Sequence, residues 1–353
     1  MRRPSKPVFV GDIQIGGGAP IVIQSMTSTA TRDIAATRDQ IARLAAAGCE
    51  VARVAVPDTE AAAALAAIVR GSPLPVIADI HFDYRLALAA LKAGVHGLRL
   101  NPGNIREPDR IKAVVLAAKA RGVPIRVGVN AGSLPPLPAL ADGELPPPTH
   151  QRMVDAALWE VRLLESLDFD AIKIALKAFD VPTTIAAYRA IADQTPYPLH
   201  LGITEAGTSF AGSIRSAIGL GILLFEGIGD TIRVSLTADP VEEVAVAQEI
   251  LNSLNLRQFG PTMVSCPSCG RAEIDIIGLA RAVEARLKAV KRPLTVAVMG
   301  CVVNGPGEAR EADVGIAGGE GKGILFRKGE QLRVVPEAEL VAALMAEVER
   351  LDD

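Results

Sequence analysis

Short apolar, β-branched runs recur along the first two-thirds of the chain, with helix-length segments between them. The runs are Ile21 to Met26, Glu50 to Val56, Pro75 to Ile80, Gly97 to Asn101, Ile125 to Asn130, Ala171 to Lys177, Leu199 to Glu205 and Thr231 to Thr237. Helical segments such as Ile105 to Ala120, Gln151 to Ser166 and Pro240 to Leu254 are interleaved. Near-continuous apolar strands alternating with helices predict a parallel sheet covered on both faces. Eight such units in roughly 240 residues match the count and size of a (β/α)8 TIM barrel.

Before the first unit, VFVGDIQIGGG predicts a short hairpin placed as a plug under the barrel. After the fifth strand, the stretch LPPLPALADGELPPPTH is too rich in proline for a helix interior. Its length suits either a functional lid or a variable surface loop. After Gly260 the alternation changes. A cysteine loop is followed by a helix from about Asp275 to Val290, the strand LTVAVMG, glycine-rich hairpin strands and a last helix near Pro336 to Leu351. That order predicts a small α+β domain, so the expected division is a barrel over 1–256 and a second domain over 257–353.

Composition changes this picture little. The 353 residues are 49% hydrophobic and 3% aromatic, so the core is built from Ala, Val, Leu and Ile. A formal net charge of -3 argues against bulk nucleic-acid binding, and any anion site must be local. The basic start MRRPSKP is not followed by an apolar targeting segment, and the longest apolar runs, such as Ala217 to Phe225, are too short to span a bilayer. The expected location is the cytoplasm. Four cysteines, three of them in two tight motifs, do not form a secreted disulfide framework and point to metal or redox chemistry.

Parallel strands all point one way, so residues near their C-terminal ends face one pocket. Those ends carry Arg53, Asp79 and His81, Arg99 and Asn101, Arg126 and Asn130, Lys177, Glu205, Arg233 and Ser235. Cations converging on one mouth repel each other unless an anion is present, and guanidinium forks suit phosphate oxygens. The implied ligand is a small phosphorylated or diphosphorylated molecule. Single residues have structural readings too, such as pairing of Arg99 with Asp79 or of Arg233 with Glu205. Lys177 alone also suits a Schiff-base nucleophile. His96 and His200 precede strands and read as bottom-face or core residues.

Cys266 and Cys269 form a C-x2-C pair, and Cys301 follows in MGCVVNGPGEA. Zinc and iron–sulfur clusters both accept this spacing. Structural zinc takes four protein ligands, yet Cys49 precedes a strand and reads as a small buried hydrophobe, and no histidine follows residue 200. An oxygen ligand or an open position remains, and glycines 305 and 307 around Pro306 permit a reversal that returns Glu308 toward the metal. Three thiolates and a displaceable carboxylate suit a catalytic [4Fe-4S] cluster. Taken alone, NGPGEA is better read as an ordinary turn.

The stretches CPSCGR, MGCVVNGPGEA, HLGITEAG, SAIGLGILLFEGIGDTIRVSLTADPVEEV and RLNPGNI closely resemble the bacterial 4-hydroxy-3-methylbut-2-enyl diphosphate synthases of the methylerythritol phosphate route to isoprenoids. The similarity runs over essentially the whole chain. It implies a barrel similar to dihydropteroate synthase followed by an iron–sulfur domain, with a [4Fe-4S] cluster on Cys266, Cys269, Cys301 and Glu308. It also implies that Arg53, Arg99, Arg126, Asn130, Lys177, Arg233 and Ser235 bind a cyclic diphosphate, with Glu205 and Glu308 in catalytic roles. The implied reaction is reductive ring opening of 2-C-methyl-D-erythritol 2,4-cyclodiphosphate, with flavodoxin or ferredoxin as electron donor. The linker near Leu256 to Gly260 is short, and the resemblance implies a head-to-tail homodimer. One departure is visible: KAFD places Phe179 where the family motif has serine, which puts a hydroxyl contact there in doubt.

Two other readings compete. One is a phosphosugar aldolase with Lys177 as Schiff base and a structural zinc. The other is an electron carrier whose barrel is a scaffold, against which the cation ring argues.

Overall fold

A hairpin begins the chain, with β1 (Val8–Val10) paired antiparallel to β2 (Ile13–Ile15) through a turn in which Gly11 adopts a positive φ of 63°. Its apolar face, Val8, Val10 and Ile15, packs on Val22, Val51 and Ile77 at the starts of three barrel strands. The hairpin therefore plugs the N-terminal end of the barrel. His96 lies at that end, where its Nδ1 accepts the Val76 amide at 3.0 Å.

The barrel strands are β3 (Val22–Met26), β4 (Val51–Ala55), β5 (Val76–Asp79), β6 (Gly97–Leu100), β7 (Ile125–Asn130), β8 (Ile172–Lys177), β9 (His200–Leu201) and β10 (Thr231–Ile232). All eight are parallel, in the order β8-β7-β6-β5-β4-β3-β10-β9, and a bridge between Ile174 and Leu199 closes the ring. The alternating helices are α1 (Ile34–Ala46), α2 (Thr59–Arg70), α3 (Tyr84–Ala93), α4 (Pro108–Lys119), α5 (Thr149–Ser166), α6 (Val181–Ala192), α7 (Ser209–Phe225) and α8 (Pro240–Ser253). Five of them start on aspartate caps, Asp33, Asp58, Asp83, Asp180 and Asp239, whose carboxylates accept a first-turn amide. Fully buried residues such as Ile23, Leu65, Leu98 and Ile125 bind helices to sheet, each contributing about 1.5–3 kcal/mol of hydrophobic stabilisation.

Two strands are far shorter than their apolar runs predict. Past β9 the backbone of Glu205 turns to a φ of 52°, which breaks the extended run. Past β10 the Leu236 amide goes to the Glu243 carboxylate and the Thr237 amide to the Gly207 carbonyl, so neither is left for a ladder.

The computed structural model describes residues 1–100, 107–134, 136, 145–301, 307 and 309–351. It contains two compact units, Met1–Arg257 and Gln258–Asp353. Most of the proline-rich loop after β7, read as either a lid or a variable surface loop, lies outside the described residues, as do Asn101 and Glu308. No helix among the described residues is long and apolar enough to cross a membrane.

The second unit is a sheet of β11 (Thr262–Ser265), β12 (Thr295–Met299), β13 (Val314–Gly319), β14 (Lys322–Arg327) and β15 (Glu330–Pro336), in that spatial order. The first three strands are parallel and the rest antiparallel. Helices α9 (Ile276–Leu287) and α10 (Leu340–Arg350) join Val296, Val298, Val314 and Ile316 in one core through Leu279, Val283, Leu344 and Val348. A second, smaller cluster holds Ala297, Met299, Ala309, Ala312, Ala317 and Phe326, with Cys266 packed against it. The fold is thus a TIM barrel followed by an α+β domain.

Candidate active site and cysteine loop

Side chains alternate along a strand, so residues two and four apart share a face. Arg126 and Asn130 on β7 therefore stand on one side, beside Lys173 and Lys177 on β8, their register partners. Arg99 on β6 is in turn the register partner of Arg126. Arg53, Arg99, Arg126, Lys173 and Lys177 are buried and Arg233 is half-buried; among the described carboxylates only Asp79 and Glu243 form ion pairs with these six, Asp79 with Arg53 and Arg99 and Glu243 with Arg233.

Asp79 faces Arg53 at 3.5 Å and Arg99 at 3.2 Å, with His81 at 3.5 Å. Burial alone raises its carboxyl, but Arg53, the His81 hydrogen bond and Arg99 outweigh burial and hold it well below the usual carboxylate range. Arg53 also reaches the Met26 sulfur, 2.9 Å from Nη2, and Arg233 approaches the same sulfur at 3.8 Å. Arg233 is held by Glu243 through two contacts of 3.3 Å, not by Glu205. The structural alternative that pairs Arg233 with Glu205 does not form: Glu205 sits on the exposed, left-handed turn after β9, whereas Glu243 enters from α8 and also takes Ser25 and the Leu236 amide. Asn130 is half-buried at the end of β7, and Ser235 is half-buried three residues past β10.

Two glycines make room for the long cations. A Cβ on Gly202 would lie 2.6 Å from Lys177 Nζ and 2.8 Å from the Arg233 carbonyl, and one on Gly128 would lie 3.1 Å from Arg99 Nε. Burial first, then Arg126, Arg53 and Arg233, push Lys177 well below the usual lysine range. Among the described residues no partner meets Arg99 Nε, Arg126 Nε and Nη1, Lys173 Nζ, His200 Nε2 or either polar atom of Gln24. Donors this deep without acceptors cost several kcal/mol unless something else satisfies them. An anion with several oxygens is the matching guest.

Sequence reasoning placed Arg126 at a strand end. It is instead the second residue of β7, some 13 Å below Asn130 at about 3.3 Å per residue. It missed Lys173, Gln24, Met26 and Glu243. The four-residue spacing of Lys173 and Lys177 is a legible signal for the first of these. His200 is fully buried, as expected of a core residue, with Nδ1 3.3 Å from the Thr231 hydroxyl. Cys49 is a buried hydrophobe: burial pushes its thiol up to about 12, and its Sγ lies 3.3 Å from the Val51 carbonyl.

In the second unit, Cys266 follows β11 and Cys301 follows β12 by two residues, at the same end of neighbouring parallel strands. The Cys266 sulfur accepts the Gly300 amide at 3.1 Å. Its own amide donates to Val298, and the Glu273 amide donates to Gly300, so the loop carrying Cys266 and Cys269 is fastened along the Val298–Gly300 backbone. Cys269 is exposed, and none of the four cysteines is in a disulfide. No three His, Cys, Asp or Glu side chains among the described residues already converge on one point. Even so, the donor set fits an iron–sulfur group: reduced thiols at adjacent strand ends, with an amide aimed at a sulfur, are how such groups are held and tuned. Ala309, the residue after Glu308, is buried with Met299.

Two family models match the chain, the GcpE TIM-barrel domain over residues 5–248 and the GcpE protein C-terminal domain over 262–350. The chain belongs to the GcpE family. Within the GcpE family, it is 61% identical over 351 residues to the 4-hydroxy-3-methylbut-2-en-1-yl diphosphate synthase (flavodoxin) of Geobacter sulfurreducens, with 99% of each chain covered. It is 60% identical over 352 residues to the protein of the same name from Dehalococcoides mccartyi, again with 99% of each covered. Among solved structures, the GcpE barrel resembles 7,8-dihydropteroate synthase from Vibrio fischeri, with a TM-score of 0.51 at 15% identity over 71% of this chain and 99% of that one. It also resembles the N-acetylneuraminic acid synthetase of Leptospira borgpetersenii, with a TM-score of 0.51 at 13% identity over 72% and 91% of the two chains. These likenesses concern the fold alone.

Proposed function

We propose that this protein is a 4-hydroxy-3-methylbut-2-enyl diphosphate synthase that opens and dehydrates 2-C-methyl-D-erythritol 2,4-cyclodiphosphate. Two electrons and two protons enter and one water leaves. The observation that carries this reading is the buried ring of Arg53, Arg99, Arg126, Lys173 and Lys177, whose free donors suit a diphosphate. The names of the full-length relatives support it, and nothing in them supports the aldolase reading.

In this proposal Arg53, Arg99, Arg126, Asn130, Lys177, Arg233 and Ser235 bind the two phosphates and neutralise the charge that builds as the ring opens. Asp79 keeps the guanidiniums of Arg53 and Arg99 apart and aimed. Glu205, exposed on the turn after β9, holds the proton that the departing oxygen takes. Cys266, Cys269, Cys301 and Glu308 hold a [4Fe-4S] cluster. When bound, that cluster supplies single electrons at low potential and a Lewis-acidic iron. A reduced flavodoxin, as the relatives' names indicate, or a ferredoxin is the donor, and the protein acts in the cytoplasm as a head-to-tail homodimer.

Anaerobic reconstitution followed by iron and sulfide analysis tests the cofactor. The expected result is about four iron and four sulfide per chain, with visible absorbance that bleaches with dithionite. Stoichiometric zinc without sulfide after reconstitution overturns the proposal.

A further inference from the structure

Lys173 is 2% exposed, yet no described group accepts a hydrogen bond from its Nζ. Its charged surroundings come from every side of the barrel. Lys177 stands above it on β8, Arg126 beside it on β7 and Arg53 across on β4, while His200 faces it from β9. The attractive neighbour is Asp230, whose carboxylate is already taken by Ser5 at 2.8 Å, the Leu199 amide at 2.9 Å and Arg2 at 3.3 Å. Higher up, Asp79 is committed to Arg53 and Arg99, and Glu243 to Arg233. Tyr188 from α6 is also used, donating to the His200 carbonyl and accepting the Leu176 amide. An ammonium at this place meets mostly cations.

We propose that the arrival of a diphosphate in the cation ring draws a proton onto Lys173, making it a charge-matching residue of the substrate site. This rests on the barrel being the diphosphate site, as argued above. Before a diphosphate arrives, burial and the fields of Arg126 and Arg53 push the Lys173 amine down to about 7. At pH 8 it is mostly neutral, and two phosphate charges above it restore the ordinary basicity of a lysine. Each proton taken up weakens affinity by up to tenfold per pH unit above that value. Lys177 contributes in the same direction.

The test is calorimetric titration of 2-C-methyl-D-erythritol 2,4-cyclodiphosphate into the iron- and sulfide-loaded protein without reductant, at pH 8, in buffers of different ionisation enthalpy. Each phosphorus of this ligand carries one ester link, one anhydride link and a single strongly acidic oxygen, so neither titrates near neutrality and any proton belongs to the protein. Wild type is expected to take up about one to two protons on binding, and Lys173→Met about one fewer. The loss of affinity between pH 8 and pH 9 should be about tenfold smaller in the variant. Binding with no buffer dependence in wild type, or with equal uptake in Lys173→Met, overturns the inference while leaving the diphosphate reading intact. No binding by wild type removes the diphosphate reading, and this inference with it.

Discussion

Replacing Asp79 by asparagine keeps the side chain's size and removes the charge that faces Arg53 at 3.5 Å and Arg99 at 3.2 Å. All three residues are buried, so solvent does little to screen the loss. Removing one partner of a buried ion pair costs about 3–5 kcal/mol, because the other charge is left uncompensated. The amide oxygen of asparagine still accepts one hydrogen bond from Arg99, worth roughly 1 kcal/mol. The expected loss is therefore about 2–4 kcal/mol, or roughly 4–16 °C in melting temperature for a unit of this size. The cyclic diphosphate replaces the missing negative charge, so it should raise the melting temperature of the variant more than that of wild type. The acid side fixes the sign. The Asp79 carboxyl is depressed in the folded protein, so its contribution is complete above the unfolded value of about 3.9 and is lost as pH falls toward the folded one. The difference between wild type and variant, measured by urea unfolding, should be flat above about pH 5 and shrink below about pH 4. A loss under about 1 kcal/mol with no extra stabilisation by ligand would refute the argument that Asp79 balances the ring.

Gly202→Ala puts a methyl against Lys177 Nζ and the Arg233 carbonyl; with the fold retained, the Michaelis constant should rise about tenfold, and an unchanged constant would remove Lys177 from the substrate site. Cys301→Ser should lose iron on anaerobic gel filtration, whereas Cys49→Ala should keep wild-type iron and lose only about 1 kcal/mol of stability. In the native protein at pH 8, Cys49 should resist iodoacetamide, because burial keeps its thiol protonated.

Much of the barrel is legible because its strands are buried on both faces and so read as continuous apolar runs. Where the runs mislead, side chains are responsible. The Glu243 carboxylate captures the Leu236 amide and Glu205 turns left-handed, so β9 and β10 stop after two residues each. The cation ring is legible from strand ends, but its depth is not. Arg126 and Lys173 lie near the starts of their strands, which a rule about C-terminal ends cannot find. Pairing is also hidden: the partner of Arg233 is on α8, ten residues on, and nothing in the spacing prefers it to Glu205. The cysteine loop is legible from C-x2-C and Cys301. Its backbone fastening to Gly300 depends on β11 and β12 being neighbours, which only the fold reveals.

Anaerobic turnover tests the central claim most directly: the protein loaded with iron and sulfide, reduced flavodoxin, and the cyclic diphosphate followed by phosphorus NMR. The account predicts that the cyclic resonances give way to those of a linear diphosphate, one product per two electrons consumed. A fully loaded, reduced protein that leaves the cyclic diphosphate unchanged would contradict it.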